Sequence, residues 1–338
     1  MKEQTTAFYN KHYKTLLILP ILLLLVSVFI IGHTYVTTGD VFHKDVSLTG
    51  GTTITVSTNA FSGDLLKALS AQIPDVEVNS LLDNSGKQTQ LVIVTSQPPE
   101  KIQPAIEQFL GEKLTPANSS IEFTGSNLSA SFYTQLLIAV IIAFFWMSAV
   151  VFVIFAHKLS IKIWVIIINI LFGIFLGKIF LALPLILGII ISLIFIALLV
   201  YLYFKHSIPS FAVMSCAFAD ILMTLAVVDL IGMKVSGAGI VAFLMLIGYS
   251  VDTDILLTTR VLRRKGTSVN HEVLSAFKTG MTMTLTAIAA IAVSLIFIFR
   301  FQTSLNQIFT ILIIGLVFDI FNTWLTNTSL IKWFAERQ

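Results

Sequence analysis

Long apolar runs separated by short basic stretches dominate this chain of 338 residues. A helix needs about 20 apolar residues to cross roughly 30 Å of hydrocarbon. Runs near that size lie at 15–32, 132–155, 163–178, 185–204, 209–231, 239–258, 280–299 and 305–330, which predicts eight spans. The third and fourth are almost continuous. Together they are too long for one crossing, and Lys178 with Pro184 marks a tight turn between them. The first run exceeds the roughly 7–15 apolar residues of a signal-peptide core. Gly32-His33-Thr34 is also a poor cleavage site, so this run is expected to stay as an anchor.

Between the first two runs the pattern changes. Val46 to Val56 is β-branched and Thr-rich and predicts a strand. Ser62 is a candidate N-cap for a short helix with Leu65, Leu66 and Leu69 on one face. Two strands follow at 76–82 and 90–95, around the turn signal Asp83-Asn84-Ser85-Gly86. Pro98-Pro99 opens a second helix with Ile102, Ile106, Phe109 and Leu110 at helical spacing, and 120–123 is a last strand. The order βαββαβ predicts a ferredoxin-like α+β domain over 33–131. The anchor occupies 1–32, and a helical membrane bundle of about seven spans occupies 132–338. Gly50-Gly51 marks either a bulge or a close backbone approach.

Charge sharpens this division. Residues 33–130 hold 5 Lys and 10 acidic residues, a local net charge of −5, and only 12% of the whole chain is charged. About 25% is usual for a soluble domain, so an ordinary cytosolic enzyme and a disordered chain are both excluded. With the N-terminus inside, the inner segments carry 13 basic residues, from Lys2 through the Arg263-Arg264-Lys265 run to Arg337. The short outer loops carry only Lys178, Lys234 and Arg300. The positive-inside rule then puts both termini in the cytoplasm and 33–131 outside the cell membrane. The basic run is expected to meet anionic lipid. The single cysteine, Cys216, excludes an internal disulfide. His33, Asp40, His43 and Asp45 match no metal-ligand spacing and are expected to be solvated loop residues. Phosphate loops, hydrolase constellations and nucleic-acid patches have no candidate, so neither an enzyme nor a cofactor is expected.

Acids inside apolar runs are the candidate chemistry. Asp220 lies midway along its run, where a charge costs at least about 3 kcal/mol. Asp252 and Asp254 precede Arg260 on the next run but one helical face cannot hold both acids, which stand about 200° apart. Asp252 and Arg260 are about 12 Å apart along the axis and do not pair directly. Asp319 has Asn322 at i+3 as an available partner and is expected to serve packing. Asp229 is near the outer surface and needs no special role. Each buried acid admits two readings, a hydrogen-bonded carboxyl that fixes packing or a proton or ion relay.

Three segments carry a family resemblance. The run Leu246 to Arg260, with Gly248-Tyr249-Ser250-Val251-Asp252-Thr253-Asp254 at its centre, resembles the signature span of SecF, the protein-export membrane protein, in its archaeal form. The run Gly315 to Asn327, with Asp319 and Asn322, resembles that family's last span, and Thr49-Gly50-Gly51-Thr52 its Gly-Gly strand. The resemblance implies a bundle of the resistance-nodulation-division type with one outer α+β domain. It also implies a SecD-like subunit and a SecY-type translocon as partners, preproteins as cargo, and export coupled to an ion gradient. The family's intramembrane acid falls on Asp220. Where the bacterial pattern continues Asn-Asp-Thr, this chain has Asp252-Thr253-Asp254, which moves the acid to either side. The family has six spans, so the hairpin at about 156–205 is extra. An exporter of lipid or of a small hydrophobic molecule, and a purely structural partner of SecD, are the competing readings.

Overall fold

The computed structural model describes residues 13, 15–73, 75–82, 87–264, 266–299 and 304–337. The turn expected at 83–86 lies outside them, as do Lys2, Lys11, Lys14, Lys265 and Arg300. Among the described residues eight helices are long and apolar enough to cross a membrane. They are α1 (Ile18–Thr38), α5 (Ser126–Phe155), a third over Leu159–Ala182 that starts as α6 (Leu159–Ile174), α7 (Leu185–His206), α8 (Ile208–Leu230), α9 (Gly237–Leu262), α10 (Val269–Ile298) and the stretch Ser304–Ala335. The last comprises α11 (Ser304–Phe321), a π-helical segment (Asn322–Asn327) and α12 (Thr328–Ala335). Helix α1 runs on through Thr38, and α5 starts at Ser126, so both continue past the apolar runs that mark them in the sequence.

Burial separates centre from periphery. Helices α8 and α9 bury 61% and 56% of their apolar stretch, against 11% for α7 and 6% for α10. The centre is therefore the α8–α9 pair, with the last span packed on both. The α6–α7 hairpin sits to one side. Its Phe195 ring stacks with Phe172 and Phe175, and Phe172 meets Phe145 of α5 edge-on. Tyr203 of α7 is fully buried against Phe152, with its hydroxyl 3.3 Å from Ser148 Oγ. The turn is made by a π segment (Phe175–Ile179) containing Lys178, a 3₁₀ turn (Phe180–Ala182) and the break at Pro184.

Between α1 and α5 lies a four-stranded antiparallel sheet in the order β2-β3-β1-β4. Its strands are β1 (Gly51–Val56), β2 (Glu77–Leu82), β3 (Gln88–Thr95) and β4 (Ser119–Thr124), with α3 (Ser62–Ser70) and α4 (Pro99–Leu110) in the crossovers. Ile54 pairs with Ile93 and Ile121 across the sheet. The helix-side face of Ile54, Leu91 and Ile93 meets Leu65, Leu69, Ile102 and Ile106, all at most 1% exposed. The predicted strand from Val46 is shortened. Val46–Thr49 is one helical turn, α2, because the Asp45 carboxylate accepts from the Ser47 N–H and caps it. Ser62 is the first residue of α3 rather than its cap, which is Phe61.

Gly50 and Gly51 occupy positive φ, at 88° and 147°. A Cβ on Gly50 would stand 2.5 Å from Ser126 Cα, and one on Gly51 would stand 2.3 Å from Thr95 O. The pairing of β1 runs without a register shift on both sides. A bulge is therefore replaced by close backbone approach, where the start of α5 passes over the start of β1.

The sheet domain and the segments flanking it are tied to the bundle by polar contacts. Val235, in the α8–α9 loop, donates to His43 O (2.7 Å) and accepts from Asp45 N (2.9 Å). Lys234 pairs with Glu77 of β2. Gln307 of α11 accepts from Ser236 N (3.0 Å) and Ser236 Oγ (2.5 Å). Of the four residues expected in solvated loops, His33 lies within α1, Asp40 pairs with Lys44 (2.8 Å), Asp45 caps α2, and His43 Nδ1 lies 3.8 Å from Asp229. Asp229 itself is buried at 1% side-chain exposure, so it is a contact between the segment after α1 and the bundle rather than a surface acid.

Gly51→Ala should cost about 1–3 kcal/mol for its backbone alone, and more for the clash. Gly39→Ala, at φ 80° with nothing within 4 Å, should cost only about 1–2 kcal/mol. Thermal unfolding of the purified full chain compares the two.

Candidate functional site: a buried acid centre

The polar content of the membrane bundle is concentrated at one place. Asp220 of α8, Asp254 of α9 and Asp319 of α11 are at most 1% exposed. Asp220 Oδ2 accepts from Ser250 Oγ of α9 (2.5 Å), and Asp220 Oδ1 accepts from Asn322 Nδ2 (2.6 Å). One carboxyl thereby holds three spans together. Asp254 Oδ1 accepts from Asn327 Nδ2 (2.7 Å) and from Thr323 Oγ1 (2.9 Å). Thr323 Oγ1 also stands 3.1 Å from Asp319 Oδ1. The hydroxyl has one proton for two carboxyl groups.

The π-helical segment explains how one helix supplies so many partners. In an α-helix, residues five apart point to different sides. In a π turn the i→i+5 bond stacks them one above the other. Asn322 and Asn327 both reach the centre for this reason. The Cys216 thiol donates to Asn322 O (3.7 Å), and Thr328 Oγ1 donates to Thr323 O (2.9 Å), so carbonyls around the segment find new partners.

The arrangement sorts the sequence candidates. It brings together Asp220, Asp254, Ser250, Asp319 and Asn322. Asp252 is exposed on the opposite side of α9, as the 200° spacing requires, and is not part of the cluster. Arg260 is also elsewhere, donating to Ser275 Oγ (2.8 Å). Gly248 is open and Tyr249 is 42% exposed, so only Ser250 of that triplet faces inward. Asp319 is not partnered by Asn322. The amide goes to Asp220, and Asp319 is met by Thr323 instead. Thr323 and Asn327 are additions to the candidate residues. Their signal was present as a run of amides and hydroxyls, Asn322-Thr323 and Thr326-Asn327-Thr328, in an otherwise apolar span.

Chemically, the centre gathers carboxyl, amide and hydroxyl groups from three spans in one buried place. Among the described residues no Lys, Arg or His pairs with Asp220, Asp254 or Asp319 within 4 Å. Three uncompensated carboxylates in apolar surroundings are costly.

A multi-pass membrane bundle with an inserted ferredoxin-like domain and a central acid cluster is the architecture of a membrane transport component. Residues 177–337 match the family model of the protein export membrane protein SecD/SecF C-terminal region. The protein-export membrane protein SecF of Methanocaldococcus jannaschii is 32% identical over 328 residues, covering 96% of this chain and 96% of that protein. SecF of Haloquadratum walsbyi is 30% identical over 94% of this chain and 91% of its own length. The chain belongs to the SecF family, in its archaeal form. The crystal structure of SecDF, a translocon-associated membrane protein from Thermus thermophilus, superposes with a TM-score of 0.59 at 15% identity. The match covers 97% of this chain but 38% of that one, so it speaks for the fold alone.

Thr323→Val keeps the shape but removes the hydroxyl between two buried carboxyls. It should destabilise the purified protein by about 1–3 kcal/mol, whereas Asp252→Asn should stay within about 0.5 kcal/mol. Equal melting temperatures for the two variants would contradict the cluster.

Proposed function

We propose that this chain is a non-enzymatic accessory subunit of protein export. It works beside a SecD-like subunit and a SecY-type translocon, and it assists preproteins across the cell membrane at the expense of an ion gradient. The observation that carries the coupling is Asp220, fully buried and hydrogen-bonded by Ser250 and Asn322 from two other spans. A charge-bearing group placed there cannot change its state without altering contacts among α8, α9 and the last span. The names of the family relatives supply the process; the acid centre supplies the means of coupling. Asp254 belongs to the same unit through Thr323. The asymmetry of basic residues supports cytoplasmic termini and an outward-facing sheet domain.

The test is preprotein translocation with and without an imposed ion gradient. Asp220→Asn keeps shape and most hydrogen bonding but removes the charge. It should lower the gradient-dependent rate by about tenfold, or ~1.4 kcal/mol, with normal insertion. Unchanged export in the variant would leave a structural partner of SecD as the better reading. Lipid movement in the same vesicles would favour an exporter.

Orientation is read separately. Leu181 is 61% exposed at the hairpin turn, and Cys216, the sole cysteine, is fully buried. Leu181→Cys should therefore react with an impermeant thiol reagent from outside the cell. Labelling only from the cytoplasmic face would reverse the assignment.

A further inference from the structure

A cavity lies at the end of the bundle remote from the sheet domain. Helix α5 starts beside Gly50 and runs for 30 residues to Phe155, so its last turn marks that remote end. There a cavity of about 190 Å³ opens where the α6–α7 hairpin joins the central helices. His157 lines it from the α5–α6 loop, and Lys205 and His206 line it from the last turn of α7. Phe155, Leu262 and Phe334 supply apolar walls from α5, α9 and the last span. Only Ser207 separates α7 from α8, so the cavity sits on the joint between hairpin and bundle.

Its polar lining offers donors and positive charge with nothing to answer them. Among the described residues no acid lines the cavity. The side chains of His157 and His206 have no hydrogen-bond or acidic partner there, and Lys205 has no acid within 4 Å. Tyr201 accepts from Lys205 Nζ (2.9 Å), which commits one of the three ammonium protons and leaves two. Each imidazole brings at least one N–H. Helix α8 begins at Ile208 and adds the partial positive charge of its first turn. Glu336, two residues past Phe334, is engaged by Lys332 (3.7 Å). The lining therefore fits an anion with several acceptor oxygens, which is the chemistry of a phosphate group.

Two features select a phosphate carried on a lipid over a free one. The cavity lies at the ends of spans, the level of lipid headgroups, where basic pockets between helices hold anionic headgroups. An exposed apolar stripe also leads away from Lys205 along one face of α7. Tyr201, Leu198 and Ile194, at i−4, i−7 and i−11 from Lys205, are 54%, 42% and 61% exposed. Acyl chains lie on such a stripe while the phosphate stays against the ammonium group, and each buried methylene adds to the affinity.

We propose that this cavity seats the phosphate of an anionic phospholipid, with Lys205, His206 and His157 as its donors and the α7 stripe under its chains. The headgroup bridges the hairpin to α8, α9 and the last span, so the joint at Ser207 is held by lipid as well as by protein.

The experiment uses the purified, delipidated full chain in an uncharged detergent. Dioleoyl phosphatidylglycerol is titrated, bound lipid is counted by native mass spectrometry, and the melting temperature is a second readout. One lipid should bind saturably and raise the melting temperature. Dioleoylglycerol has the chains without the phosphate, and inorganic phosphate has no chains; both should bind far more weakly. Lys205→Gln should weaken lipid binding by about fivefold. His157→Gln, from a different element, should weaken it in the same direction. Both residues are exposed, so the variants should melt like the parent chain when no lipid is added. Lys278→Gln, exposed on α10 and outside the cavity, should leave binding unchanged. Four results would each overturn the proposal. These are equal binding of dioleoylglycerol; saturation by inorganic phosphate at the same concentration as the lipid; an equal loss in Lys278→Gln, which means diffuse charge; and no loss in Lys205→Gln or His157→Gln.

Discussion

A carboxyl placed among apolar helices must find its hydrogen-bond donors inside the protein, since hydrocarbon offers none. That requirement fixes the centre of this molecule. Asp220 takes its donors from α9 and from the last span, so the register of three helices is set by one side chain. Asp254 imposes the same demand from the neighbouring helix and is met by Thr323 and Asn327. The π-helical segment is the backbone's response, because regular α geometry would turn one of the two asparagines away. Apolar packing then fills around these contacts. Gly280 and Gly315 let Trp324 and Leu246 close over the centre, where an added Cβ would stand 2.6 Å and 2.4 Å from those side chains.

The helices that carry the acid centre also carry the anchors of the sheet domain. Ser236 caps α9, 14 residues before Ser250, and Gln307 in α11 lies 12 residues before Asp319. At 1.5 Å per residue these are distances of about 21 Å and 18 Å along the two helices. Gln307 grips Ser236 at the end nearer the sheet domain, and Val235 is bridged to His43 and Asp45 at the entry to that domain. A relative shift of α9 and α11 at the acids therefore has a direct mechanical route to the sheet. In the proposed coupling, this is the route from the acids to the sheet domain.

Much of this was legible in the chain itself. Apolar run length gave the eight spans, and alternation with turn signals gave βαββαβ. Spacing alone separated Asp252 from Asp254. What the sequence could not convey is pairing across helices. Asn322 stands at i+3 from Asp319, yet a π turn begins there and its amide swings to Asp220. Local propensity likewise extended β1 back to Val46, because a capping carboxylate at Asp45 has no weight in a β-branched count. Asp229 looked like a surface acid because His43, which stands 3.8 Å from it in the fold, is far away in sequence. For Asn322 and Asp229 a contact far away in sequence overrode a local pattern, whereas for β1 it was a cap only two residues from its donor.

The central claim is that acids on different helices act as one unit. A double-mutant cycle on gradient-driven preprotein export, with Asp220→Asn, Asp254→Asn and the pair, tests it most directly. Residues that act together are strongly non-additive, so the double variant should export at about the rate of the worse single variant. If the two losses instead multiply, Asp220 and Asp254 act separately and the account of a single buried centre is wrong.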